Sequence, residues 1–302
     1  MARKRASLTA AGLARPREFA HFLRENKKLV SELPRLFHLI NRIFKPDTEW
    51  LANRGTVDMV VYGLGHAAAE DFKEIIFACA YGFGLAGTKL LRGMFERAVT
   101  ALHIARHPEK AQDFADYYSI ERFKFWSRMK ELYGDRFPVS DAELEKRRAQ
   151  RDAVIDSFRP TPCQKCGDNL CPDCRREARG RTAWTRLSLD AMAREAGSLD
   201  EFYTFYYLNP TLQLHSTMSS VVARTRKADG DHVVFRTEGG DEMATHTPMF
   251  AHHLAILVCD TQNDHFHYGL KDELRKRLAA WFRVWGKLSN QEIWERINSP
   301  AV

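Results

Sequence analysis

The sequence lacks a long uninterrupted apolar segment. A helix that spans a bilayer needs about 20 mostly apolar residues, and the most apolar stretch, residues 57–107, is interrupted by charged side chains. The interrupting residues include Asp71, Lys73, Glu74, Lys89 and Arg92. The basic start of the chain, MARKRASLTAAGLARPREF, also lacks the apolar core of a signal peptide. We therefore expect a cytoplasmic protein with no membrane segment, in which residues 1–16 form a basic, flexible tail.

Internal repeats and low-complexity segments are also absent from the sequence. Its 302 residues are 44% hydrophobic and 28% charged, a composition typical of globular proteins rather than disordered ones. We predict a single helical domain over residues 17–302. The excess of 46 Lys and Arg over 39 Asp and Glu gives a net charge of +7. This charge favours RNA, DNA or another acidic partner, although it is equally compatible with an ordinary solvated surface.

Cysteine is scarce outside one short segment. Four of the six cysteines lie between positions 163 and 174, whereas a secreted disulfide scaffold would spread them along the chain. Two C-x-x-C pairs can offer four thiolates to one tetrahedral ion, so we predict a structural Zn site, with one ion per chain. The predicted ligands are Cys163, Cys166, Cys171 and Cys174. An iron–sulfur cluster is the alternative. The segment at residues 159–181 therefore indicates an inserted zinc knuckle.

Apolar residues recur at three- and four-residue spacing through most of the chain, which predicts an all-α helical bundle. The predicted helices span residues 17–44, 57–81, 86–106, 108–133, 141–158, 182–195, 199–207, 211–224, 248–260 and 271–288. Asn209-Pro210 indicates a turn. One β-hairpin is expected at residues 231–247, where HVVFRTE and EMATHT flank Gly239-Gly240-Asp241.

The segment Gly82-Phe-Gly84-Leu-Ala-Gly87 matches the glycine pattern of dinucleotide-binding loops. That pattern requires a preceding strand and a following βαβ unit, and the surrounding sequence offers neither. We therefore interpret the three glycines as a closely packed turn between two helices.

The helix predicted at residues 86–106 carries a polar stripe. At about 100° per residue, Thr88, Arg92, Glu96 and His103 fall within about 80° of one another. Polar groups on so apolar a helix are costly unless they pair or reach water, so the stripe either fixes helix register or forms a site. His215, in QLHSTMSS, is a further candidate for proton transfer, with a satisfied core histidine as the plainer interpretation.

Two segments of the sequence resemble known protein families and bear on its function. Arg97 and His103 form an R-x5-H pattern that resembles the R-x4-6-H motif of HEPN-type ribonucleases, which implies metal-independent RNA cleavage at a dimer interface. The segments LLRGMFERAVTALHIARHPEKAQDFADYYSIERFKFW and FYTFYYLNPTLQLHSTMSS resemble a bacterial helical family catalogued as a domain of unknown function (number 5677). That resemblance covers roughly residues 55–270, implies a helical fold, and points to Arg92, Glu96, Tyr117 and His215.

The leading functional hypothesis is a bacterial protein that acts on nucleic acid as an RNA-cleaving effector of a stress or phage-defence system. Its expected catalytic residues are Arg92, Glu96, His103 and His215, and the HEPN resemblance implies a homodimer. The alternative is a non-enzymatic, zinc-stabilised module that binds a protein partner or DNA, in which the polar stripe only sets helix register.

Overall fold

The computed structural model describes residues 16–45, 53–158, 183–196, 199–227, 233–235 and 241–286. These residues are mostly helical, as the periodicity predicts. The α-helices are α1 Pro16–Glu25, α2 Lys27–Ile43, α3 Thr56–Ala80, α4 Gly84–Arg106, α5 Lys110–Tyr133, α6 Asp141–Asp152, α7 Leu189–Glu195, α8 Asp200–Tyr203, α9 Asn209–Leu214, α10 Met218–Val222, α11 Asp241–Phe266 and α12 Lys271–Trp285. No helix in the described ranges is both long and apolar enough to cross a membrane.

The chain divides into two compact units. The first unit comprises residues 1–49, 61–105 and 189–302, and the second comprises residues 50–60 and 106–188. The predicted tail and zinc knuckle fall almost entirely on residues outside the described ranges.

In the first unit, helices α2, α11 and α12 pack against one another, and α3 and α11 approach closely. A Cβ atom at Gly65 of α3 would overlap the side chain of Gln262 on α11. Gln262 Nε2 also donates a hydrogen bond to the Val61 carbonyl oxygen at 2.9 Å. Helix α4 buries Leu91, Phe95 and other apolar side chains along its length, so its polar groups sit beside a packed core.

The glycine segment between α3 and α4 is a helix–helix turn, as interpreted from the sequence. Gly82 adopts a φ of 76°, which is costly for residues with a Cβ atom. Gly87 lies in the first turn of α4, where an added Cβ atom would lie 2.8 Å from the sulfur of Cys79. The glycines therefore allow a sharp reversal and close packing.

In the second unit, helices α5 and α6 pack together. The Ser140 hydroxyl caps α6 by accepting a hydrogen bond from the Glu143 amide at 3.2 Å. A small core combines Tyr117 and Ile120 of α5 with Phe158. Tyr117 is only 6% exposed, so this residue of the family resemblance has a packing role.

The β-hairpin predicted at residues 231–247 is wrong, because its first strand pairs with an upstream segment and its second strand is helical. Strand β2, Val233–Phe235, pairs antiparallel with the upstream strand β1, Thr225–Lys227. The segment EMATHT, expected to be the second arm, begins the 26-residue helix α11. Helix extension is cooperative, and Thr247 is held in α11 by a buried 2.8 Å hydrogen bond to Thr88. The segment EMATHT is therefore helical rather than extended.

The turn predicted at Asn209-Pro210 is also wrong, because the chain stays helical there. A five-residue π-helical turn, Thr204–Leu208, joins α8 to α9. Pro210 lacks an amide hydrogen and its ring would clash with the carbonyl group four residues earlier in a regular α-helix. The wider π-helical turn just before Pro210 is consistent with that constraint.

Candidate functional site

Arg92 and Glu96 of α4 form the ion pair that their spacing predicts. Arg92 Nη2 lies 2.9 Å from Glu96 Oε1 and donates a 3.1 Å hydrogen bond to the hydroxyl of Tyr207. The guanidinium also lies over the Tyr207 ring, 4.9 Å from its centroid. The hydrogen bond to Tyr207 and the nearby Glu96 carboxylate raise the pKa of Arg92. Arg92 is therefore a cation held by contacts within the protein, and we call this group the Arg92 cluster.

The π-helical turn supplies the aromatic side of the Arg92 cluster. Tyr207 stacks on Tyr203 with centroids 5.1 Å apart, and Tyr206 packs edge-on against Phe95 of α4. The Tyr206 hydroxyl is 2.8 Å from His253 Nδ1, and burial raises the pKa of Tyr206. These contacts fix the turn against α4. Because π-helical turns recur at functional sites, this segment is a candidate part of a functional site.

The other two members of the polar stripe are buried. The Thr88 hydroxyl bonds to the Gly84 carbonyl at 3.0 Å and to the Thr247 hydroxyl. His103 is only 3% exposed, and its Nδ1 lies 3.3 Å from Glu195 Oε2. The stripe therefore contains a solvent-facing pair and two core residues, and His103 is not accessible to a polymer in this conformation.

Arg97 and His103 face different carboxylates. Arg97 forms an ion pair with Asp71 of α3, whereas His103 faces Glu195 at the end of α7. Burial raises the pKa of Asp71 to about 6, although the Arg97 charge acts in the opposite direction. The two residues of the R-x5-H pattern thus lie beside separate carboxylates.

His215 is exposed and lies in an open cleft of about 300 Å³. The described residues that line this cleft are Lys89, Gln213, Leu214, His215, Ser216, Ser220, Val221 and Arg224. The Arg224 guanidinium donates to the carbonyl oxygen of Ser220. The lining therefore combines an imidazole, an ammonium, a guanidinium and two hydroxyl groups. We call it the His215 cleft.

The His215 cleft has the composition of an anion site. Lys89 and Arg224 bring two positive charges, and no carboxylate is present among the described residues of the lining. A phosphate group is attracted by both cations and can accept hydrogen bonds from the hydroxyls. An exposed imidazole beside it can transfer a proton.

Among the residues of the His215 cleft, the sequence motifs predict His215 as a candidate but do not predict Lys89, Gln213 or Arg224. Lys89 precedes Arg92 by three positions and so lies on the same side of α4. This spacing indicates Lys89 as a further candidate from the sequence alone. Gln213 and Arg224 meet Lys89 only through contacts across more than 120 positions. Such long-range contacts leave no local pattern.

Helix α11 carries four histidines, of which His252 is fully buried. His252 accepts a 3.3 Å hydrogen bond from Trp285 Nε1 at its Nδ1 atom, and His253 meets Tyr206 as described above. Burial lowers the pKa of His252 to about 3 and that of His253 to about 4. Both therefore remain neutral at physiological pH.

The four predicted zinc ligands, Cys163, Cys166, Cys171 and Cys174, lie outside the described residues, so the zinc site stays a prediction. The other two cysteines, Cys79 and Cys259, are buried free thiols. Burial raises the pKa of both thiols, which keeps them protonated and unreactive.

The comparison with known families identifies the chain. Residues 58–232 match a family described as a family of unknown function (DUF5677), and the chain belongs to that family. No curated protein and no solved structure matches the chain.

Proposed function

We propose that the protein cleaves RNA without a catalytic metal, and that the His215 cleft is its active site. The observation that carries this proposal is the exposed imidazole of His215 in an open cleft that also contains Lys89 and Arg224. The net charge of +7 supports attraction to a polyanion.

The proposed reaction is an attack by a ribose 2′-hydroxyl on the neighbouring phosphorus. His215 accepts the 2′-hydroxyl proton while the new oxygen–phosphorus bond forms. The bond from phosphorus to the 5′ oxygen breaks, and that oxygen takes a proton from water. Lys89 and Arg224 stabilise the negative charge on the phosphoryl oxygens. The products are a 2′,3′-cyclic phosphate and a 5′-hydroxyl, and His215 returns its proton to solvent.

The charge of the cleft supports independence from a divalent cation. Magnesium and calcium sites are built from carboxylate and carbonyl oxygens, whereas the described lining offers two cationic side chains and no carboxylate. Lys89 and Arg224 therefore take the charge-stabilising role that a metal ion has in many nucleases.

The test compares an RNA oligonucleotide with its 2′-O-methyl counterpart in a buffer without added divalent cations. We expect cleavage of the RNA, with cyclic phosphate ends visible by mass spectrometry, and no cleavage of the methylated strand, which lacks the nucleophile. Cleavage of both strands, or of neither, would contradict the proposal.

A second candidate function rests on the Arg92 cluster. Arg92 already has partners in Glu96 and Tyr207, which favours a role in helix register and hence a non-enzymatic interaction module. Under that alternative, changes in Arg92 or Glu96 lower thermal stability and the chain has no cleavage activity to lose.

A further inference from the structure

Exposed apolar side chains are concentrated in helices α9 and α10 and the residues beside them. Within residues 208–222, the large apolar residues with exposed fractions from 41% to 72% are Leu208, Leu212, Leu214, Met218, Val221 and Val222. Apolar surface left in water costs free energy that contact with a ligand recovers. Such a concentration is typical of a surface that binds a ligand or a partner.

Two of these apolar residues, Leu214 and Val221, line the His215 cleft. Each is 41% exposed, so both are accessible from solvent, and we call them the apolar wall. The same cleft contains the cations Lys89 and Arg224. An occupant that satisfies both sets of side chains carries a negative charge and an apolar surface.

A nucleotide within an RNA strand has both properties. Its phosphate pairs with lysine and arginine, and the flat faces of its base pack against apolar side chains. Contact through a face tolerates every base, because each base has one, whereas hydrogen bonds to base edges select among bases. In a duplex the neighbouring base pairs cover these faces, so only an unpaired base can pack against the apolar wall.

We propose that the apolar wall restricts the His215 cleft to single-stranded RNA by packing against the face of an unpaired base, with no preference among the four bases. This inference rests on the proposed RNA-cleaving function, because it names the form of RNA held at the same site. His215, Lys89 and Arg224 act on the phosphodiester, and the apolar wall holds the adjoining base.

The first test measures binding of AMP, GMP, CMP, UMP and ribose 5-phosphate by calorimetry, since none of them contains a cleavable internucleotide bond. We expect the four nucleotides to bind within about threefold of one another and about tenfold more tightly than ribose 5-phosphate, which has no base.

Polar replacements of similar shape, Leu214→Asn and Val221→Thr, test the wall itself. The double variant should bind AMP and ribose 5-phosphate with equal affinity, and unchanged binding of ribose 5-phosphate shows that the cleft is still folded. Leu278→Asn is the control, because Leu278 is 38% exposed on α12 and is not among the described residues of the lining. That variant should keep the tenfold difference.

The second test uses a 2′-O-methyl oligonucleotide, which cannot be cleaved, alone and paired with its complement. We expect the single strand to bind about tenfold more tightly than the duplex, measured by fluorescence anisotropy. Equal or tighter binding of the duplex, equal affinity of the unmodified protein for AMP and ribose 5-phosphate, or a strong preference for one base would overturn the inference. So would binding to anionic lipid vesicles that the double variant loses, because the wall would then contact a membrane surface.

The two proposals fail in different ways. Equal cleavage of single-stranded and double-stranded RNA would leave the proposed function standing and overturn only the restriction to single strands. Preferential binding of the single strand by a protein that leaves RNA intact would instead overturn the proposed function.

Discussion

Lys89 and Arg92 lie one turn apart on α4, yet their surroundings differ. Arg92 is engaged by the Glu96 carboxylate and the Tyr207 hydroxyl and ring. Lys89 lines an open cleft that also contains the exposed imidazole of His215 and the guanidinium of Arg224. A cation that already has partners in the protein contributes to stability, whereas a cation in an open cleft is available to a ligand. The comparison therefore separates a structural polar cluster from a candidate site on one helix.

The metal content of the purified protein is expected to show the largest change. It tests whether any bound metal belongs to the predicted cysteine site rather than to the His215 cleft. We expect about one zinc per chain, because four thiolates close a tetrahedral shell, and its loss when Cys171 and Cys174 are both changed to Ser. Elemental analysis of the purified protein measures this. Iron with visible absorbance would contradict the zinc prediction, and a metal retained by the double variant would place it elsewhere than at these cysteines.

Acid is expected to destabilise the protein through His252 and His253, whose pKa values are lowered by burial. The folded-state pKa values of His252 and His253 are lowered to about 3 and about 4, so below about pH 6.5 the unfolded state binds more protons than the folded state. Each histidine then lowers the free energy of unfolding by about 1.4 kcal/mol per pH unit as the pH falls.

Asp71 acts in the opposite direction between about pH 4 and 6, because its pKa is raised to about 6 and its folded form binds the extra proton. The net expectation from these three groups is a loss of about 3 kcal/mol between pH 6.5 and 4.5, measured by urea unfolding. His252→Gln should make this dependence shallower. An unchanged slope in that variant would contradict the burial of a neutral His252.

Paired substitutions on α4 test the comparison itself. We expect Lys89→Ala to reduce RNA cleavage by about a hundredfold with little change in melting temperature, since it removes charge stabilisation from the reacting phosphate. Arg92→Ala should instead lower the free energy of unfolding by about 1 to 2 kcal/mol, because it leaves Glu96 and Tyr207 without their partner. Lys28→Ala, at an exposed position of α2, is the control. The reverse pattern of effects would place the site at the Arg92 cluster.

Long helices such as α2 and α4 were predictable because their buried apolar residues recur with the helical period. The pairing of Arg92 with Glu96 was predictable for the same reason, since both positions belong to one helix. The His215 cleft could not be predicted from the sequence, because Lys89 meets Gln213 and Arg224 only after the chain has folded. The segment EMATHT, predicted as a strand, shows the same limit, because it is helical and its Thr247 hydroxyl bonds to Thr88, a residue more than 150 positions away.

Replacement of His215 tests the central claim most directly. Cleavage of a short RNA by His215→Ala should be about 100- to 10,000-fold slower than by the unmodified protein, as expected for loss of a proton-transferring side chain. His38→Ala, at an exposed position of α2, should retain full activity. Full activity in His215→Ala would contradict the assignment of the cleft as the active site.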